Sequence, residues 1–374
     1  MKALKIAILS LSLLTIMAGA AISPALGEIG RYFSDAPTLL IQGILTTPAL
    51  FIVLTAVFFQ KLSARFSIRN LTCMGLALYI IGGCGAALMD NVYVILVCRA
   101  ILGISVGIIM PLSTGLISYF FKPEEQVALM GRSSAMNNLG GIVALFFSGI
   151  LAALSWRYAF LVYGGAIVPL ILCFIYLPNE HLRRKPLGSA TNKWRTLPLY
   201  ITAYLTMVIL YAMVANFAMI SSKEEIFPPS YIGCIMALQT LVAFLIGMYF
   251  KNLAQRLGNM MPTIAGLLFI LAFAIFSYSS NSIIVTLGML SFGAALGMTM
   301  PLIFIKLGTL VEKEHMPASM SRMSAAIYAG QFTSPLIIMQ IQSILQSTNP
   351  HFPYVCAIAL SCTVTVLLTA FVRR

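Results

Sequence analysis

The chain has 374 residues, of which 60% are hydrophobic and only 9% charged, whereas ordinary soluble domains carry about 25% charged residues. That balance excludes a soluble globular protein and describes one built into a bilayer. The net charge of +13 would suit a polyanionic partner if it were clustered, but it is spread over short loops.

Apolar stretches near the ~20 residues that a bilayer crossing needs fall at about 4–26, 38–59, 71–89, 92–118, 133–153, 158–177, 197–220, 231–250, 262–280, 282–306, 319–344 and 352–372. The first begins with Lys2 and Lys5 and passes Ala18-Gly19-Ala20, the outline of a cleaved signal peptide. Its apolar run extends to Leu26, longer than such segments usually have, so it is read as a span. Glu28 follows Pro24 at the end of that span. It is the nearest candidate for a proton site, because no Asp or Glu lies deep in any span and proton-coupled transport generally needs a sheltered carboxylate. The alternative for Glu28 is a solvated or helix-capping carboxylate.

Arg99 lies eight positions past Asn91 on the fourth span, about 12 Å down a helix at 1.5 Å per residue. A charge at that depth is costly and faces a cavity or a partner. Either backbone carbonyls with Glu28 or Asp90 satisfy it, or it gates and attracts an anionic substrate group. On the same span Gly103 and Gly107 form a GxxxG face that lets a neighbouring helix approach closely, and Pro111 removes a hydrogen bond and bends the helix. The tenth span repeats this with Gly293, Gly297 and Pro301. Asn137 and Asn138 on the fifth span cannot face lipid unpaired, so each is interhelical glue or a substrate contact. Gln42, Tyr204, Tyr211, Asn216, Gln239, Tyr328 and Gln331 are further polar groups within spans. The 21 methionines, Met17, Met110, Met213 and Met300 among them, supply either core filler or adaptable surface for varied apolar ligands.

Several of these features recur at one offset. Gly103 to Leu112 reappears as Gly293 to Leu302, and a shift of 190 also maps Arg132, Ser134, Ala135 and Gly140 onto Arg322, Ser324, Ala325 and Gly330, and Gly43 onto Gly233; a shift of 191 puts Leu62 and Arg65 on Leu253 and Arg256. The protein is thus two copies of one half in the same sense, the layout of a transporter that rocks around a site between its halves. The expected division is an N-terminal six-helix bundle at 1–178, a basic cytoplasmic linker at 179–196 and a C-terminal six-helix bundle at 197–374. Of the 23 lysines and arginines, loops assigned to the inside hold 19 and those assigned outside only Arg31, Arg157 and Lys223, with Arg99 left within a span. This positive-inside bias places both termini in the cytoplasm. Seven cysteines without a CxxC pair suggest no disulfide framework or metal site, and the three histidines, His181, His315 and His351, fall in loops.

The residues together resemble the major facilitator superfamily, and within it the twelve-span drug:proton antiporters and arabinose-efflux-like permeases. The loop from Gln60 to Arg69 is similar to the GxLxDRxGRR signature through Leu62, Arg65 and Arg69, with Ala64 where the aspartate is usual and Ser67 for the second glycine; Leu253, Arg256 and Gly258 repeat it. Arg99 with Gly103 resembles the RxxxG motif. Gly131, Gly140, Ala144-Leu145 and Ser148-Gly149 resemble the antiporter motif, with Gly-Pro replaced by Ala144-Leu145, and Trp156-Arg157 matches a frequent Trp-Arg before span six. The resemblance implies a central cavity lined by spans 1, 4, 7 and 10, with 2, 5, 8 and 11 alongside. It also implies that Arg65, lacking its usual aspartate, finds another acceptor such as the carbonyl end of a helix.

The expectation is therefore an all-α membrane protein of twelve transmembrane helices in two six-helix bundles related by a parallel repeat, the major facilitator fold. Its function is export of small amphipathic or apolar molecules by alternating access, coupled to protons as antiport. Uptake or facilitated transport of a small organic anion drawn by Arg99 is the first alternative and a transport-inactive membrane sensor the second; no constellation for an enzyme is evident. Arg99, Glu28, Arg65 and Arg256 are the coupling and gating candidates, and Gln42, Asn137, Asn138, Tyr204, Tyr211, Asn216, Gln239, Tyr328 and Gln331 the cavity candidates. Cofactors, metals and nucleic acid are not expected. The partners are a small-molecule substrate, a coupling proton and the lipid bilayer, for a monomer in the cytoplasmic membrane of a bacterium.

Overall fold

The computed structural model describes residues 2–181, 193–311 and 316–372, and every regular element among them is a helix. Most of the basic linker expected at 179–196, including Arg183, Arg184 and Lys185, lies outside the described residues, as do Lys313, His315, Arg373 and Arg374. Among the described residues, eleven segments are long and apolar enough to cross a membrane. The remaining span, Met316–Ile344, is 29 residues long, but Gln331, Gln340 and Gln342 with several serines and threonines make it more polar than the rest. It completes the twelve-helix bundle and is the one span whose composition alone understates its role.

Proline shapes several spans. Span 1 is a helix over Lys2–Ala20, a tight turn over Ser23–Ala25 and a second helix over Leu26–Tyr32. Pro24 has no N–H to give the Ala20 carbonyl, and the Ser23 hydroxyl donates to that carbonyl instead at 2.7 Å. Span 2 (Thr38–Arg65) contains Pro48, span 4 (Val92–Phe120) Pro111 and span 10 (Ser282–Leu310) Pro301, each inside a continuous helix. Spans 3 and 5 are Ile68–Leu88 and Pro123–Leu154, and span 6 is Trp156–Tyr176 with a tighter segment over Phe160–Ala166.

The chain folds into two compact units, Met1–Arg184 with Pro229–Ala237, and Lys185–Pro228 with Leu238–Arg374. The start of span 8 (Pro229–Met248) falls with the first unit, where a Cβ on Gly149 would lie 2.5 Å from the Gly233 Cα.

Within each unit the repeated residues perform matching tasks. A Cβ on Gly103 would lie 2.5 Å from the Pro48 carbonyl oxygen and one on Gly107 2.6 Å from Thr55, so the GxxxG face of span 4 is pressed against span 2. Gly293 and Gly297 meet Gln239 and Ala243 of span 8 in the same way. Gly140 abuts the Leu13 carbonyl of span 1, and Gly330 the Tyr204 carbonyl of span 7 (Lys193–Lys223). Asn91 caps span 4 by accepting from the Tyr93 N–H at 2.8 Å, and Asn281, 190 positions on, caps span 10 by accepting from Ile283 at 3.0 Å. Each cap satisfies helix-end donors that have no partner of their own.

Candidate functional site

The most deeply placed charge is Arg99, which is fully buried. Its Nε donates to the Ile44 carbonyl at 2.7 Å, one terminal nitrogen to the Ala18 carbonyl at 3.0 Å, and the other to the Tyr163 hydroxyl at 2.9 Å. The Tyr163 hydroxyl itself donates to the Ala18 carbonyl at 3.2 Å, and the guanidinium lies 5.1 Å from the centre of the Tyr163 ring. Tyr79 packs edge-on against Tyr163 at 5.7 Å and donates to the Leu14 carbonyl at 3.0 Å.

These acceptors have a common origin. In a regular helix the Ile44 carbonyl would receive the N–H of residue 48, which is Pro48 and has none. The Ala18 carbonyl stands in the last turn of a helix that stops at Ala20. Arg99 therefore joins spans 1, 2, 4 and 6 by supplying donors to carbonyls left open by two helix interruptions. Two expectations are corrected here. Neither Glu28 nor Asp90 reaches Arg99, because Glu28 pairs with Arg31 at 3.0 Å and Asp90 with Arg157. Nor does Arg99 face open space where it would draw an anionic substrate, because its donors are turned onto backbone and phenol inside the first unit.

The other candidates of the first unit divide similarly. Asn137 accepts from the Thr15 hydroxyl, and Ser133 on the same span meets Ser12 at 2.6 Å, so these two positions join span 5 to span 1. Asn138 folds its amide onto its own helix, donating to the Ser134 carbonyl at 2.9 Å. Gln42 is buried near the start of span 2. Arg65 is exposed in the last turn of its helix and makes no hydrogen bond or ion pair among the described residues, contrary to the expected helix-carbonyl acceptor; Arg256 is likewise exposed.

In the second unit, Tyr204 meets the Thr333 hydroxyl at 2.8 Å and the Ser334 hydroxyl donates to the Val208 carbonyl at 2.7 Å, both joining span 7 to span 11. Gln331 reaches the Met207 sulfur at 3.8 Å on the same seam. Asn216 donates to the Ala212 carbonyl of its own helix at 2.8 Å. Tyr211 and Gln239 are buried and Tyr328 half-buried. Met17 and Met213 are buried core residues.

The loops that follow odd-numbered spans form what is here called the far end of each unit. In the first unit, Arg157 at the start of span 6 donates to the Met89 carbonyl at 3.2 Å, to the Tyr32 hydroxyl at 3.2 Å and to Asp90, while stacking 4.4 Å over Trp156. Hydrogen bonds from Arg157 and then Tyr32, with the guanidinium charge, hold the Asp90 carboxyl below the usual carboxylate range. A cleft of about 370 Å³ opens beside this group, lined by Tyr32, Asp35, Asp90 and Tyr93 among others. In the second unit, His351 and Glu224 meet at 2.6 Å. Sequence reasoning passed over Tyr163, Tyr79, Glu224 and His351. Only the position of Trp156-Arg157 signalled one of these clusters, since Glu224 and His351 are 127 residues apart. Among the described residues no group of three potential metal ligands converges.

With this geometry in place the chain can be compared with known proteins. A profile of the Major Facilitator Superfamily matches residues 8–335. The chain belongs to that superfamily. Among characterised relatives, it is 24% identical over 259 residues to the riboflavin transporter RibZ of Clostridioides difficile (strain 630), covering 60% of this chain and 55% of that protein. It is 29% identical over 169 residues to the quinolone resistance protein NorA of Staphylococcus aureus (strain MRSA252), covering 42% of each. The matched region thus spans about half the length of these relatives. Solved structures share the fold over nearly the whole chain. The nucleoside transporter NupG superposes with a TM-score of 0.74 at 16% identity, covering 98% of both chains. A D-xylose–proton symporter superposes with a TM-score of 0.72 at 15% identity, covering 99% of this chain and 96% of that one. The chain has the multi-pass helical fold of this superfamily.

Proposed function

We propose that this transporter exports small amphipathic or apolar molecules by alternating access, driven by proton antiport, from the cytoplasmic membrane of a bacterium. In this reading it works as a monomer with both termini in the cytoplasm, and the bundles at 1–178 and 197–374 are the rocking units. The observation that carries the substrate class is the state of Arg99. Arg99, the fully buried cation among the described residues, gives its hydrogen bonds to Ile44, Ala18 and Tyr163, so it offers no free charge to a cargo. This favours export of amphipathic compounds over uptake of an organic anion. Similarity to NorA and, at 22% identity over 223 residues, to multidrug resistance protein 2 of Bacillus subtilis (strain 168) supports the same direction and breadth.

The test is transport in proteoliposomes under an imposed pH gradient, with a panel of cationic, neutral and anionic amphipathic dyes. Dye movement against its gradient, with counterflow of protons and preference for cationic or neutral members, is expected. Equal rates with and without the gradient would overturn antiport, and preference for the anions would overturn the substrate class. Glu28→Gln in the same assay tests the sequence-derived proton site: if Glu28 carries the proton, the variant exchanges dye but loses its response to the gradient.

A further inference from the structure

The far end of the second unit is closed by a contact whose hydrogen-bond arithmetic is unusual. Glu224 directly follows span 7, and His351 immediately precedes span 12 (Phe352–Leu367). The His351 Nδ1 lies 2.8 Å from the Phe276 carbonyl oxygen near the end of span 9 (Phe250–Tyr278), and Nε2 lies 2.6 Å from a Glu224 carboxyl oxygen. The second Glu224 oxygen accepts from the Ser280 hydroxyl at 3.1 Å. A carbonyl only accepts, so Nδ1 carries a hydrogen. A neutral imidazole then presents a lone pair at Nε2, and an ionised carboxylate presents another. Two lone pairs do not attract at 2.6 Å. The contact needs one proton more than a neutral histidine and an ionised glutamate supply, held on Nε2 or on the carboxyl.

The equivalent corner of the first unit shows what is special here. There the cation at the start of the last span is Arg157, whose guanidinium keeps its protons. It too reaches the carbonyl end of its unit's third span and an acid, through Met89 and Asp90. Asp90 and Ser280 are 190 positions apart. The first unit thus has a clamp whose cation keeps its charge, and the second a clamp in which both partners can gain or lose the shared proton.

We propose that His351 and Glu224 form a proton-binding site, and that its proton holds the far ends of spans 7, 9 and 12 together. When the proton departs to water, the Nε2–H···O bond is lost, two lone pairs face each other and the corner opens. Because the contact depends on holding that proton, the clamp is closed on the acid side and opens as the pH rises. The side chains are 15% and 25% exposed, and a void of about 10 Å³ lies against His351, room for about one water, so the site is sheltered yet reachable. The neighbouring groups do not supply the charge in place of histidine. Span 12 presents Tyr354, its ring centre 6.0 Å from the imidazole; the loop after span 9 presents Ser279 and Ser280; Lys223 and Glu225 flank Glu224 in the chain and are exposed. No lysine or arginine pairs with Glu224 among the described residues. The inference stands whichever way the transporter runs and whatever ion drives it.

Hydrogen exchange of the full-length protein in lipid nanodiscs, from pH 5.5 to 8.5 and normalised for intrinsic rates, tests it. Amides at 221–227 and 351–356 should lose protection by about tenfold or more as the pH rises, the scale of one charge-assisted hydrogen bond, while the Arg157 corner at 86–92 stays level. Glu224→Gln should abolish the pH response without opening the corner, because its amide donates to the Nε2 lone pair with no additional proton. His351→Gln should leave the corner weakly protected at every pH. A Glu224→Gln profile with the wild-type slope overturns the proposal, as does a wild-type profile that is flat.

Discussion

The two halves share a scaffold and fill it with different chemistry. In the first, Tyr79, Arg99 and Tyr163 form a buried polar knot on the carbonyls of Leu14, Ala18 and Ile44. In the second, the corresponding positions at offsets of 190 and 191 are Phe269, Met289 and Tyr354, and aromatic edges take over: Phe269 and Phe273 meet Phe292 at 5.3 and 5.5 Å, and Phe276 meets Tyr354 at 5.5 Å. The reason lies in the helices around each core. Span 2 contains Pro48 and leaves a carbonyl open; span 8 has no proline beyond its first residue. The carbonyl of Val208, the counterpart of Ala18, is met by the Ser334 hydroxyl instead. A broken backbone calls for a donor-rich side chain, and an unbroken one leaves the core to rings.

Five tests, some of them paired substitutions, break or sharpen this contrast. The largest loss should follow Phe273→Ala, because a buried ring removed from an aromatic core typically costs about 3–5 kcal/mol; calorimetry or thermal aggregation of the purified protein reads it, and a loss below about 1 kcal/mol would show the second core to be loosely packed. Arg99→Met, which copies the second half into the first, should cost about 2–4 kcal/mol by leaving the Ile44 and Ala18 carbonyls short of donors. Adding Pro48→Ala should recover part of that loss, since residue 48 then donates to Ile44 itself. Absence of any recovery would refute the link between the proline and the arginine. Gly103→Ala and Gly293→Ala should each cost about 1–3 kcal/mol through overpacking, and matching losses in the two variants would confirm that both GxxxG faces do one job. Asn91→Ala and Asn281→Ala should each cost about 1 kcal/mol as lost caps, again in parallel.

The smallest and most selective effect concerns acidity. Because Asp90 is held below its ordinary value, its clamp with Arg157 is complete above the usual carboxylate range and is lost only as the pH falls through the lowered value. Exchange at 86–92 should therefore rise only in strongly acid buffer, opposite in direction to the corner at His351. Equal behaviour of both corners would remove the distinction between them.

Much of this was legible in the chain. The repeat at offset 190 predicted which glycines bear close contacts, and the positions of apolar runs located the spans to within a few residues. Arg99 was recognisable as anomalous from its depth alone. Backbone carbonyls were among its expected partners, but which ones was not legible, because no spacing rule connects Arg99 with a carbonyl freed by a proline 51 positions earlier, and the carboxylates Glu28 and Asp90 expected beside them pair elsewhere. His351 was read as a loop residue since its meaning depends on Glu224 and Phe276, 127 and 75 residues earlier in the chain. Span 11 is polar because one seam of it bonds span 7 through Gln331, Thr333 and Ser334, a need that hydropathy reads as weakness.

The tie between Arg99 and Ile44 also has a bearing on how the chain enters the bilayer. When span 2 first reaches the membrane, its Ile44 carbonyl has no helical donor, and the side chain that will serve it lies 55 residues further along. Tyr163, the last member of the knot, follows after another 64. An open carbonyl in hydrocarbon is unfavourable by several kcal/mol, so spans 1 and 2 gain from waiting beside the insertion machinery until span 4 emerges. That cost favours assembly of the first half as a group of helices, a constraint that span 8, without an internal proline, does not place on the second half.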